Sequence, residues 1–432
     1  MDRVNRANGC LRASAAGAAL LSMSSLALAG GFEVREQSAY FQGTSFAGAA
    51  AGGHNISSIF WNPAASAYVG YGFTADASAA LIFADSNVDV TGFGAPGSTG
   101  LCATFACSVD IGAVALVPAS YMAWRYDSRT VFALGMNSQF GLGTKPDNLE
   151  WLGQLHARSA KLFSVNVNPS VSYEIVPGIA IGVGLQVQLL DLMHLKSAAG
   201  LAGPSASLAG QDIAAGFTAG INYRPAPGTS IGLGYRSSIR HTLEGSVTVE
   251  GTGLGGPIEA DVETPGKATL SFSQAVASNM RVLGTIDWTN WSTLDVVRVR
   301  PAPTAIGKTI TLDFQWHDAW FFALGGEWDV NPQLTLRAGG AYEMSPIRNP
   351  TERLVQLPDA DRIWLSLGAT YRLNDTTALN FGYSHVFVED ASLQRGLTTA
   401  PAPVLFADTN SRVDIVSVGL TMRWGGAPSP MK

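Results

Sequence analysis

Ser384 and His385 stand side by side, and Ser237 precedes His241 by four positions. A serine and a histidine held near an acid or amide on one wall are what nucleophilic acyl transfer requires. These pairs do not meet that condition, because His385 falls in alternation with Leu379, Phe381 and Tyr383, on the opposite face from Ser384. His156, His194 and His317 show no metal-ligand spacing. Cys102 and Cys107 lie in the segment "GAPGSTGLCATFACSVD". They are too few for a metal without a nearby histidine, and in an oxidising compartment they can close a small loop disulfide. The residue types therefore call for neither enzyme chemistry nor a cofactor nor a metal, and binding is left as the chemistry to explain.

The elements that would carry such binding are strands. The chain begins with Arg3, Arg6 and Arg12, an apolar run from Ala13 to Leu28, and Ala27-Leu28-Ala29, a small-residue cleavage pattern before Gly30. Residues 1–29 read as an export signal. Beyond Leu28 no stretch is long and apolar enough for a spanning helix, yet the chain of 432 residues is 47% hydrophobic and only 14% charged. With a net charge of −6, nucleic acid is not an expected partner.

Period-two alternation supplies the answer. Ile363, Leu365, Leu367, Ala369, Tyr371 and Leu373 interleave with Arg362, Trp364, Ser366, Gly368, Thr370 and Arg372, and the same pattern recurs over 334–344, 379–384 and 416–424. About 14 such segments are separated alternately by short turns, such as Tyr126–Ser128 and Asn374–Thr376, and by long loops near 86–112, 143–159, 194–212, 250–266, 300–311, 345–360 and 390–410. This predicts an all-β fold: a transmembrane antiparallel up-and-down β-barrel over 71–424, with a polar tail at 425–432. Trp61, Trp124, Trp151, Trp288, Trp291, Trp316, Trp320 and Trp328 fall near strand ends, as interfacial girdles do.

A barrel of that size leaks unless its lumen is filled. Residues 30–70 contain "GTSFAGAAAGG" and "GHNISSIFWNPAASA", small residues punctuated by Phe60, Asn62, Pro63 and Ala64. They read as a plug folded into the lumen, since a disordered leader would be poor in Phe, Ile and Trp.

Several motifs now fall in order: "GGFEVREQSA" at Gly30–Ala39, "NPA" at Asn62–Ala64, "WLGQLHARSAKLFSVNVNPSVSYEI" at Trp151–Ile175, "GYRSSIRHTLEG" at Gly234–Gly245, "DWTNWSTLD" at Asp287–Asp295, "LRAGGAYEMSPI" at Leu336–Ile347, "LPDADRIWLSLGATY" at Leu357–Tyr371 and "FGYSHVFVEDASL" at Phe381–Leu393. Together they resemble the FadL family of outer-membrane long-chain fatty-acid and hydrocarbon transporters. The resemblance implies a 14-stranded barrel with an N-terminal hatch, a monomer surrounded by outer-membrane lipid. It implies capture of a long-chain fatty acid or hydrocarbon at the outer loops and passive sideways exit through a kinked third strand, here Arg129–Leu142 with Gly135, Asn137, Ser138 and Gly141.

A fatty-acid pocket needs an apolar sleeve and a cation for the carboxylate. Trp151, Leu152, Leu155, Leu201 and Leu208 are sleeve candidates; Arg158, Lys161, Arg337, Arg353 and Arg362 are cation candidates, unless they pair with acids such as Glu343, Asp359 or Asp361. The sequence "GQLHA" at Gly153–Ala157 replaces the Gly-Arg-Tyr-His-Ala common in relatives, a change that favours less charged ligands such as neutral hydrocarbons. A general porin and a lipid hydrolase are the other readings; a porin needs no plug.

Overall fold

The structure is a computed structural model and describes residues 31–52, 55–301, 310–396 and 403–425. The export signal, and all of the polar tail but Gly425, lie outside the described residues. Fourteen antiparallel strands close into one barrel. They are β1 (Gly72–Phe93), β2 (Val114–Arg125), β3 (Thr130–Asn137 and Gly141–Thr144), β4 (Ser159–Val176), β5 (Ile179–Ala198), β6 (Ser205–Tyr223) and β7 (Thr229–Arg236 and Ile239–Val249). The second half is β8 (Gly255–Thr264 and Lys267–Ala277), β9 (Met280–Thr289 and Val296–Pro301), β10 (Ile310–Asp313 and Ala319–Asp329), β11 (Leu334–Glu343), β12 (Arg362–Asn374), β13 (Thr377–Val388 and Ala391–Arg395) and β14 (Leu405–Trp424). Neighbours pair in sequence order, and β14 returns to β1 from Phe73↔Trp424 to Phe93↔Leu405. Closure gives every wall strand two neighbours, which hydrocarbon demands because it offers no water to an open edge.

The alternation expected from the sequence decides which face meets lipid. On β12, Ile363, Leu365 and Leu367 are exposed, whereas Arg362, Trp364 and Ser366 are buried. Several strands run further than the hydrophobic pattern suggested: β1, β5, β6, β8, β13 and β14 continue into segments expected to be loops. Beyond the membrane both faces of a strand meet polar surroundings, so the ladder persists while the apolar signal stops, as at Asp85-Ser86-Asn87. The girdle reading needs correction too. Trp124, Trp320 and Trp328 are exposed on the outer face, but Trp61, Trp151, Trp291 and Trp316 are buried in the interior. An aromatic near a strand end suits the interface and a packed loop equally well, so sequence alone does not separate them.

The described part of residues 31–70 lies inside the barrel and is almost wholly buried. A short helix, α1 (Ala39–Gln42), and two 3-10 turns, Ile56–Phe60 and Pro63–Tyr68, are capped by Ser38, Asn55 and Asn62. Asn62 does more than cap. Its Oδ1 accepts from the Ala64 amide at 3.0 Å, while its Nδ2 donates to the Ala50 and Ile221 carbonyls at 2.9 and 3.0 Å, joining the plug to β6. This fit needs glycine on the wall: a Cβ at Gly234 would stand 1.8 Å from the Trp61 carbonyl oxygen, and one at Gly232 would stand 1.9 Å from that of Ala50.

Buried charges hold the first part of the plug. Arg35 pairs with Asp287 at 2.6 Å and Glu343 at 2.8 Å, and Lys267 bridges Glu33 and Asp287 at 2.9 and 3.0 Å. Arg35 also stacks over the Phe321 ring at 3.9 Å. Substitution Arg35→Ala leaves Asp287 and Glu343 short of a cation; we expect a loss of about 3 to 5 kcal/mol, read as faster proteolysis of the plug and a lower melting temperature. Gly234→Val should cost about 2 kcal/mol by overpacking, whereas exposed Gly100→Ala should stay within about 0.5 kcal/mol. Thermal loss of the compact, SDS-resistant barrel measures both.

Candidate ligand pocket

Against the start of the plug lies a cavity of about 390 Å³. Leu142, Leu162, Leu190, Leu243, Ile258 and Val299 project into it from β3, β4, β5, β7, β8 and β9, and Leu354 and Leu357 close it from the loop before β12. Interruptions in β7, β8, β9 and β10 lie near this level, at residues 237–238, 265–266, 290–295 and 314–318. They carry Trp291 and Trp316 inward, both buried.

The floor is the start of the plug. Phe32 lines the cavity and packs edge-on against Trp291 and Phe140, with ring centroids 4.9 and 5.6 Å apart. Gly31 adopts φ +61 directly under Trp291, where a Cβ would lie 2.8 Å from the indole. The same residues complete the wall. The Gly141 amide donates to the Phe32 carbonyl at 2.9 Å, the Val34 amide donates to the Gln139 carbonyl at 2.8 Å, and Glu33 bridges Phe140 in antiparallel register.

That pairing caps the β3 side of a break in the barrel. β2 and β3 pair only from Arg125↔Val131 to Ser120↔Met136. Beyond that point Val114–Ala119 pair with β1 alone among the described residues, and β3 turns to the plug over residues 138–140. The four small or polar residues singled out on this strand sit around the break. Gly135 pairs with Tyr121 and Asn168, Asn137 is buried with both amide atoms unpartnered, the Ser138 carbonyl accepts from Gln37 Nε2 at 2.5 Å, and Gly141 bonds Phe32 as above.

The residues named as ligand candidates occupy several places. Leu155 and Leu208 line the cavity. Trp151 and Leu152 are buried in a separate outer-loop cluster with Val355, Leu393 and Leu405, where the Trp151 Nε1 donates to the Ala157 carbonyl at 2.9 Å; Leu201 is exposed. Arg158 bonds Ser205 and Gln154, and Lys161 belongs to the opposite set of β4 from the lining residues Ala160 and Leu162. Arg337 pairs with Glu327 at 2.7 Å beneath Tyr40, Arg353 donates to the Asp359 and Ser392 carbonyls, and Arg362 pairs with Asp359. The structure thus gathers Leu155 and Leu208 at the cavity, commits Arg158, Arg337, Arg353 and Arg362 to structural ion pairs and loop braces, and leaves Lys161 off the lining. Phe60, Asn62, Pro63 and Ala64 are all buried in the plug.

Sequence reasoning gave Phe32, Arg395 and His156 no place at the pocket, although all three line it. His156 lines the cavity, is 8% exposed, and carries an Nε2 with no hydrogen-bond partner. Burial, and then the nearby Arg395, push its pKa down to about 4, so the ring is neutral at physiological pH. A sequence signal existed only for His156, in its place beside Leu155. The chain also holds one serine in nucleophile-elbow spacing, at Gly228-Thr229-Ser230-Ile231-Gly232. Its hydroxyl is spent on the Ala51 carbonyl at 2.7 Å and on Asn222 at 3.2 Å, under the plug. Cys102 and Cys107 form a disulfide, and the Ala106 carbonyl beside it accepts from the Leu152 amide, bracing the loop that carries His156.

Comparison with known proteins places this architecture. A family model described as outer membrane protein transport protein (OMPP1/FadL/TodX) matches residues 20–424. Outer membrane protein P1 of Haemophilus influenzae is 26% identical, over 85% of this chain and 89% of the relative. The long-chain fatty acid transport protein of Escherichia coli K12 is 23% identical, over 89% and 93%. Among solved structures, a Pseudomonas aeruginosa FadL homologue superposes with TM-score 0.81 at 21% identity, covering 91% of this chain and all of that one. The Ralstonia pickettii toluene transporter TbuX gives TM-score 0.66 at 16% identity, over 91% of this chain and 100% of its own. The chain is therefore an outer-membrane β-barrel and belongs to the OMPP1/FadL/TodX family of outer-membrane transport proteins.

Proposed function

We propose that the protein takes up long-chain fatty acids or similar hydrophobic molecules passively across the outer membrane, releasing them sideways into the bilayer. The carrying observation is that Phe32 is at once the pocket floor and a backbone partner of β3 at the break in the wall. A ligand pressing into the leucine-lined cavity competes with Phe32 for the same apolar volume. Displacing Phe32 strains the Gly141–Phe32 and Val34–Gln139 hydrogen bonds, and releasing them uncovers the gap between β2 and β3. Apolar molecules then need not cross the close-packed plug, which stays anchored through Asn62 and Arg35. The chemistry of the cavity and the names of the relatives support this reading: one is a fatty-acid transport protein and one a toluene transporter.

Two results test it. Glu33 and Phe140 are bridge partners, so cysteines at both positions stand within disulfide reach. In cells lacking other uptake proteins, oxidised Glu33→Cys/Phe140→Cys should take up labelled oleate no faster than cells without the protein. Reduction should restore uptake, with wild type treated identically as the control. Unimpaired uptake by the cross-linked form counts against displacement of the floor. Deletion of residues 31–53 should raise ion conductance in planar bilayers and weaken specific uptake together; no change in either measurement excludes a gating plug.

A further inference from the structure

The plug stretch that caps the break turns two neighbouring side chains to different parts of the wall. Gln37 faces the break: its Nε2 donates to the Val34 and Ser138 carbonyls at 2.9 and 2.5 Å, and its carbonyl accepts from the Tyr121 hydroxyl at 3.0 Å. Glu36 takes part in none of these bonds. It is 2% exposed, and its Oε2 has no hydrogen-bond partner. The charged groups acting on it are Arg35 of its own segment, Glu343 of β11 and Arg362 of β12. All three are already engaged. Arg35 pairs with Asp287 and Glu343, Glu343 also accepts from the Trp364 Nε1 at 3.0 Å, and Arg362 pairs with Asp359. Lys267 and Glu33 extend the network from Asp287.

An ionised carboxylate oxygen without a donor in a protein interior costs far more than a neutral one. Burial is the largest influence on Glu36. With repulsion by Glu343 it pushes the carboxyl up from its ordinary 4.5 to about 7, against the pull of its own amide, Arg35 and Arg362. We propose that Glu36 is a proton-operated latch: as the neutral acid it seats residues 31–37 against the wall, and its ionisation favours release of that stretch from Ser138, Gln139 and Gly141. Seated Glu36 holds its proton more tightly than Glu36 released into water. The seat is therefore strongest below about pH 4.5, weakens as pH rises to about 7, and stays at the weaker level above that. The latch concerns how the plug is held and stands whether or not the cavity is where a ligand resides.

The test is amide hydrogen exchange in the purified full-length protein in nanodiscs without ligand, read as protection factors so that the intrinsic pH dependence of exchange cancels. Val34 and Gly141 should lose protection about tenfold or more between about pH 5 and about pH 8. Ala64, held by Asn62, should keep its own. Glu36→Gln and Glu36→Met, two neutral side chains of similar length, should hold Val34 and Gly141 at the wild-type level of the lower pH throughout. Infrared difference spectra of wild type should show a protonated carboxyl at the lower pH that is lost at the higher one and missing from both variants. A wild type that keeps its protection, variants that lose as much as wild type, or variants already at the weaker level at the lower pH each overturn the latch. So does a wild type without the protonated carboxyl signal.

Discussion

Inside hydrocarbon every backbone amide and carbonyl needs a protein partner, and the barrel meets this demand by closing strand on strand, with a break between two early strands. Between β2 and β3 the ladder stops at Ser120↔Met136, and the freed groups of Gln139 and Gly141 are taken up by the chain's own beginning. The plug caps the β3 side of the break, and in the uptake proposed above it is the piece that moves. The backbone of Phe32 and Val34 closes the edge, and the side chain of Phe32 closes the cavity. In the proposed uptake a single displacement of Phe32 acts on both, coupling occupancy of the pocket to an opening in the side of the cylinder without an energy source.

For that piece to move alone, the rest of the plug must stay. Two kinds of contact hold it. Lumen-facing glycines let the plug backbone lie directly on the wall, so Asn62 reaches both Ala50 and Ile221 from one amide. The buried ion pair of Arg35 with Asp287 holds the segment between the floor and α1, and the Tyr40 hydroxyl, donating to Glu327, holds α1 itself. Phe32 itself is held by ring contacts and a few backbone bonds, and the proposed uptake needs these to open before the anchors do.

Much of this was legible in the sequence, and unevenly so. The barrel was, because lipid on one face and a lumen on the other imprint a period of two, and β12 obeys it residue by residue. The plug was legible from Asn62-Pro63-Ala64 and the aromatic residues around them. Strand ends were not, since outside the membrane Asp85-Ser86-Asn87 pair as well as Leu81 does while losing the apolar signal. Charged site residues were the least legible. Arg337, Arg353 and Arg362 look identical in sequence to ligand-binding cations, and only geometry shows them committed to Glu327, to carbonyls and to Asp359.

The most direct measurement is amide hydrogen exchange at Gly141 and Val34 in lipid nanodiscs, with and without saturating oleate. Their protection depends on the Phe32 and Gln139 carbonyls. The account expects both amides to exchange faster with ligand bound while Ala64, held by Asn62, stays protected. Unchanged protection at Gly141 and Val34, in protein shown to be taking up the ligand, would contradict it.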